Sequence, residues 1–199
     1  MDNATIVSLA LFSTVAAFTP GPNNLMLAAS GVNYGFQRTI PHITGVTVGF
    51  MLLVLAAGLG LSSVFALMPQ LYGIMRLLSF CFLFYIAYKI AMAGPIEDSQ
   101  STKPLSFGTA FAFQWVNPKG VTVTLSTITA YTGSSHSPYF DLSVIMVIFT
   151  ATTIGSTIAW TMAGQMIGRT LKQPRARRIF NFLMAALLII SLLPVILSL

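Results

Sequence analysis

The chain has 199 residues, of which 55% are hydrophobic and only 7% charged, with a mean hydropathy of +0.82 and a formal net charge of +6. Soluble globular domains carry roughly 25% charged residues, so this composition excludes a soluble domain and describes an integral membrane protein. A soluble nucleic-acid module is excluded as well, because it needs aromatic platforms on a polar surface.

A helix needs roughly 20 apolar residues to cross a hydrocarbon core. Runs of that length predict six transmembrane helices, over residues 4–30, 41–67, 71–93, 107–131, 142–167 and 179–198. They fill the chain as a single transmembrane domain, residues 1–199, with halves at approximately 1–95 and 106–199. The first run has only Asp2 before it and lacks the basic region of a signal peptide, so it reads as a retained helix.

Span one is interrupted by Thr19-Pro20-Gly21-Pro22. Proline removes an amide donor and clashes with the preceding turn, and glycine opens dihedrals closed to other residues. The gap after it carries Arg38. Span two contains His42 and the pair Gly45 and Gly49, whose spacing allows close helix approach, either inside the chain or between two copies of it. Span three holds Cys81, the single cysteine, read as a small packing residue because a thiol relay needs two. Lys89 and Lys103 flank the next gap.

Span four contains F-Q-W-V-N-P-K-G, Phe113 to Gly120, broken by Asn117-Pro118 and closed by Gly120. Span five carries a small polar stripe, Thr150 to Thr157, and a second small-residue pair, Gly164 and Gly168. Five basic residues, Arg169, Lys172, Arg175, Arg177 and Arg178, precede span six. Basic residues are held on the cytoplasmic side, and they alternate between gaps, with Arg76 as the exception. This places both termini outside the cytoplasm and explains the positive charge as topology, with some lipid contact as a by-product.

Spans one and four open the two three-helix halves. Three crossings per half make any internal repeat inverted, and interrupted helices in corresponding positions point to a transporter's binding site. At each break a capping residue precedes a proline suited to a first helical turn, Thr19-Pro20 and Asn117-Pro118. Two half-helix N-termini and the Lys119 ammonium would favour a carboxylate. Carbonyls released before each break, with Gln114, Asn23 and Asn24, would accept from an amine. The expected substrate-binding residues are therefore Thr19, Pro20, Gly21, Pro22, Asn23, Asn24, Gln114, Asn117, Pro118 and Lys119, with Thr153 and Thr157 as lining positions on span five. The bland readings are that the amides bond helix to helix, that the Thr stripe is packing, and that Lys119 snorkels to an interface.

The acids Asp2, Glu97, Asp98 and Asp141 all fall at span ends or in loops. With no mid-membrane carboxylate, only His42, Asp141 or the substrate itself would titrate in a proton-coupled cycle, and uniport is the simpler reading. His42 and His136 have no acidic neighbours at ligand spacing, so no metal and no cofactor is expected. No nucleophile–base pair points to an enzyme.

T-P-G-P-N-N, followed by Y-G-F-Q-R and G-V-T-V-G-F and then by Q-W-V-N-P-K-G, resembles the LysE/RhtB family of amino-acid exporters, most closely the branch exporting cysteine and O-acetylserine. The resemblance runs over essentially the whole chain. It implies a multi-pass protein of the bacterial inner membrane that expels amino acids or their derivatives using the proton-motive force. The alternative reading is a non-transporting membrane assembly or redox partner. A homodimer through the glycine-pair faces is a further expectation.

Overall fold

A computed structural model describes residues 1–68, 70–93, 103–133 and 137–192. Among these residues the secondary structure is helical throughout, without strands. The helices are α1 (Asn3–Phe18), α2 (Pro22–Ala56), a π-turn at Ala57–Leu61, α3 (Ser62–Leu67), α4 (Gln70–Ala91), α5 (Phe107–Gln114), α6 (Pro118–Tyr131), α7 (Pro138–Thr170) and α8 (Pro174–Ile190). Three of them, Pro22–Leu61 with its π-turn, Gln70–Ala91 and Pro138–Thr170, are long and apolar enough to cross a membrane.

Both expected helix breaks are present. The first half-helix, however, starts at Pro22 with Gly21 as its cap, and Thr19 closes α1. Pro20 therefore lies inside the break and does not begin a helix, because Pro22 takes the first helical position. Gly120 closes nothing either. It lies in the first turn of α6, where an added Cβ would sit 3.4 Å from Asn117 Nδ2.

The predicted gap between spans one and two shrinks to one residue. Gly35 adopts φ 76°, ψ 173° inside α2, a left-handed value that only glycine takes without strain. Residues 22–34 and 36–56 form two arms that fold back on each other, since Ser30 Oγ and His42 Nδ1 are 3.3 Å apart; twelve residues of straight helix would separate them by about 18 Å. Thr39 Oγ1 donates to the Gly35 carbonyl, and the Gln165 side chain accepts from Phe36 N–H, which secures the turn.

Glycines weld each arm to a neighbour. On the first arm Gly31 meets the backbone of Thr161, and on α7 Gly164 meets Ala28 and Gly168 meets Val32. On the second arm Gly45 meets the Phe107 carbonyl and Gly49 the Phe111 carbonyl. Both glycine pairs are thus used within the chain, which removes the basis for the expected homodimer through those faces. Their contacts also give direction. The first arm runs parallel to α7, the second runs parallel to α5, and the second arm passes α7 antiparallel through the Met51–Thr150 and Gly58–Leu142 contacts.

Helices α4 and α8 form an antiparallel pair around Leu83, Ile86, Ala87, Ala185 and Leu188. Asn181 on α8 exchanges amide hydrogen bonds with Asn33, at 2.9 and 3.2 Å, and donates to the Ala93 carbonyl at 3.2 Å. Arg38, Lys89, Lys103 and the basic residues at the end of α7, in the loop after it and at the start of α8 gather at this end of the bundle. Cys81 is exposed on α4 and is not a packing residue. The surface around it is apolar, Phe80 and Phe84 included, as a lipid-facing wall requires.

Gly164→Val is expected to abolish the folded protein or destabilise it by about 3 kcal/mol, the upper range for overpacking. Gly73→Ala, which meets nothing within 4 Å, should leave it unchanged. Thermal unfolding followed by size-exclusion chromatography in detergent reads both.

Candidate functional site

The two breaks are built alike. Pro22 and Pro118 each occupy a first helical position and leave the carbonyl four residues earlier, on Phe18 and on Gln114, without its usual donor. At the first break Gly21 is extended, φ −168°. At the second, Trp115 N–H and Val116 N–H tighten back onto Ala112 and Phe113 at 3.2 and 3.1 Å, and Asn117 leads into α6.

The breaks face each other. Asn23 Nδ2 donates to Gln114 Oε1 at 2.7 Å, and Gln114 Nε2 returns a bond to Asn23 Oδ1 at 3.1 Å. Lys119 Nζ donates to both the carbonyl and the hydroxyl of Thr19 at 2.8 Å. Lys119 therefore spans the junction between the breaks and does not snorkel to an interface. Its stem lies across Gly21, where a Cβ would come within 2.8 Å of Lys119 Cδ.

The carbonyls ahead of the first break are largely spoken for, contrary to the expectation that they would await an amine. Asn24 Nδ2 donates to Ala17 O at 2.8 Å and to Thr19 O at 2.9 Å. Ser156 Oγ on α7 also donates to Ala17 O, at 2.6 Å. In an apolar surrounding an unpaired carbonyl is costly, so the chain supplies these donors itself.

A cavity with about 560 Å³ of open space, its mouth included, lies against this junction. Of the expected residues Gly21, Pro22, Asn23, Asn24, Asn117, Lys119, Thr153 and Thr157 line it. Thr19 and Gln114 stand behind it as partners of Lys119 and Asn23, and Pro20 and Pro118 face a second cavity beyond Lys119. Val46, Phe50 and Phe149 also wall the first cavity and escaped the sequence reading, and Ser156 joins them from the Thr150–Thr157 stripe. The i, i+4 spacing of Val46 and Phe50 on one helix face was available as a signal, but nothing in the sequence says which face turns inward.

Asn117 is the unusual member. Its side chain is 3% exposed, and its Oδ1 has no hydrogen-bond partner among the described residues. A buried acceptor without a donor is rare and calls for an explanation. One cavity thus offers a cation, two helix N-termini and a spare carbonyl oxygen, which together suit a small group bearing both a carboxylate and an ammonium.

His42 and Asp141 do not line this cavity. His42 is fully buried on the second arm, one turn before Val46. Asp141 is buried in the first turn of α7, where it accepts from the amino group of Met1 at 3.5 Å and from Gly133 N–H at 3.1 Å. His136, Glu97 and Asp98 lie outside the described residues. Among the described residues no group of three metal-ligating side chains occurs.

The family model of LysE type translocators matches residues 14–193. Cysteine/O-acetylserine efflux proteins of Escherichia coli are similar over 183 residues, 89% of this chain and 90% of theirs, at 31% identity for strains O1:K1 and O157:H7 and 30% for strain K12. No solved structure matches.

The Asn23–Gln114 clasp is expected to couple the two halves. A double-mutant cycle with Asn23→Ala and Gln114→Ala should give a coupling energy of about 1 kcal/mol in denaturant unfolding in mixed micelles. Additive effects would mean that the two amides act independently.

Proposed function

The chain belongs to the family of LysE type translocators, and we propose that it carries small zwitterionic amino acids, cysteine and O-acetylserine foremost, by alternating access around the cavity where its two helix breaks meet. Family membership makes it an amino-acid exporter of the bacterial inner membrane, multi-pass and not an enzyme. The substrate follows the names of its relatives, and the site follows the chemistry of the cavity.

The observation that carries this reading is the pairing of the Lys119 ammonium with the partnerless Asn117 Oδ1 in one cavity. The substrate carboxylate docks at Lys119 and the N-termini of α2 and α6, and its ammonium donates to Asn117. Thr153 and Thr157 supply polar lining. Neutral oxygens hold the amine less tightly than a carboxylate would, which suits an exporter loading from a concentrated pool.

We place six crossings in two inverted halves, with both termini outside the cytoplasm. Exchange of the halves maps span one onto four, two onto five and three onto six. The observed contacts fit that exchange: span one runs parallel to five as two does to four, and the pairs one–four, two–five and three–six are all antiparallel. The basic end of the bundle faces the cytoplasm.

Liposomes containing the purified protein and loaded with radiolabelled cysteine under reductant test the site. Asn117→Leu and Lys119→Gln should each slow efflux about tenfold or more, the loss expected for a charge-assisted hydrogen bond. Unchanged efflux from both variants would reject the site. For topology, a C-terminal alkaline phosphatase fusion should be active, and a fluorescent cytoplasmic reporter fused there should stay dark; the reverse pattern overturns the orientation.

A further inference from the structure

Beyond Lys119 lies a second, larger cavity with about 1340 Å³ of open space. It opens between the two breaks and the α4/α8 pair, and its wall includes Pro20, Pro118, Tyr72, Arg76 and Ser191. Gly21, Pro22, Lys119 and Val123 border both cavities. The Lys119 side chain, laid across Gly21 and tied to Thr19, is thus the partition between them.

Arg76 stands out against the charge pattern of the whole chain. Of the ten Lys and Arg residues, eight gather at the basic end, and the remaining two, Lys119 and Arg76, border this one cavity. Basic residues are selected against on the non-cytoplasmic side, and a charge within a membrane helix marks a functional path by default. Arg76 is half-buried in the second turn of α4, and its guanidinium makes no hydrogen bond or ion pair among the described residues. Neither described acid lines the cavity; Asp141 is engaged by Met1 and Gly133 at the start of α7, and Asp2 caps α1.

We propose that Arg76 and the cavity around it form a second station for the substrate's carboxylate, which receives it from Lys119 on the way out. The positive charge of the guanidinium attracts a carboxylate, and its N–H groups donate to it. A cation placed one cavity further along draws the carboxylate past the Lys119 partition, and the larger volume there leaves room for water to rehydrate it. Lys119 returns to the Thr19 oxygens once the carboxylate has left it, so the loading site resets without a counter-anion. The inference rests on the export reading above and adds a specificity for carboxylate-bearing substrates at the exit.

The liposome assay separates the two. Arg76→Gln should lower the maximal rate of cysteine efflux about tenfold while the half-saturating concentration at the loading side shifts less than about twofold, because an interaction made after loading acts on turnover. Arg76→Lys, which keeps the charge, should recover most of the rate, and all variants should elute as the unmodified protein does in size-exclusion chromatography. Normal efflux by Arg76→Gln, equal losses in affinity and rate, or no recovery with Arg76→Lys would each overturn this station while leaving the export reading intact. No cysteine flux from the unmodified protein would overturn both.

Discussion

The structure depends on one constraint: within a bilayer a backbone carbonyl that loses its helical donor has no water to turn to. Two helix breaks create such losses in this chain, and the arrangement around the first follows from repairing the damage. Asn24 folds back onto Ala17 and Thr19, Ser156 reaches over from α7, and Lys119 crosses from the opposite half to Thr19. Repair of the first break thus draws on residues from α2, α6 and α7, which ties these helices together at the junction.

The site's chemistry is what those repairs leave over. Most polar groups at the junction are matched among themselves, and the balance is a lysine held only by neutral oxygens and an asparagine oxygen held by nothing. A zwitterion completes both deficits at once, whereas an anion or an amine alone completes one. On the proposed site, the preference for amino acids is a remainder in hydrogen bonding, without a dedicated carboxylate to hold the ammonium.

The breaks themselves were legible in the sequence because proline and glycine act locally, and so was the pairing of the two motifs. Legibility ended where register between helices mattered. The expected cap Thr19-Pro20 gave way to Gly21-Pro22, since several candidate caps and prolines lie within four residues and tertiary contacts choose among them. The Thr19 and Ala17 carbonyls looked free because their donors come from Asn24, Ser156 and Lys119, the latter two distant in sequence. Gly45, Gly49, Gly164 and Gly168 announced close approach but not with whom, and Cys81 gave no sign of its face on a helix that is apolar all round. Arg76 was visible as an exception to the charge rule, yet only the fold puts it across a cavity from Lys119.

The amide exchange between Asn23 and Gln114 has a built-in polarity. An isolated pair of this kind is degenerate, since both amides can turn over together and keep two hydrogen bonds. Here Gln114 Nε2 also donates to the Ala110 carbonyl at 2.8 Å, and a carbonyl can only accept. The main chain of α5 therefore fixes which end of Gln114 points where, and Gln114 fixes Asn23 on the opposite half. The orientation of the Asn23 amide is thus decided by a backbone group on another helix, through Gln114.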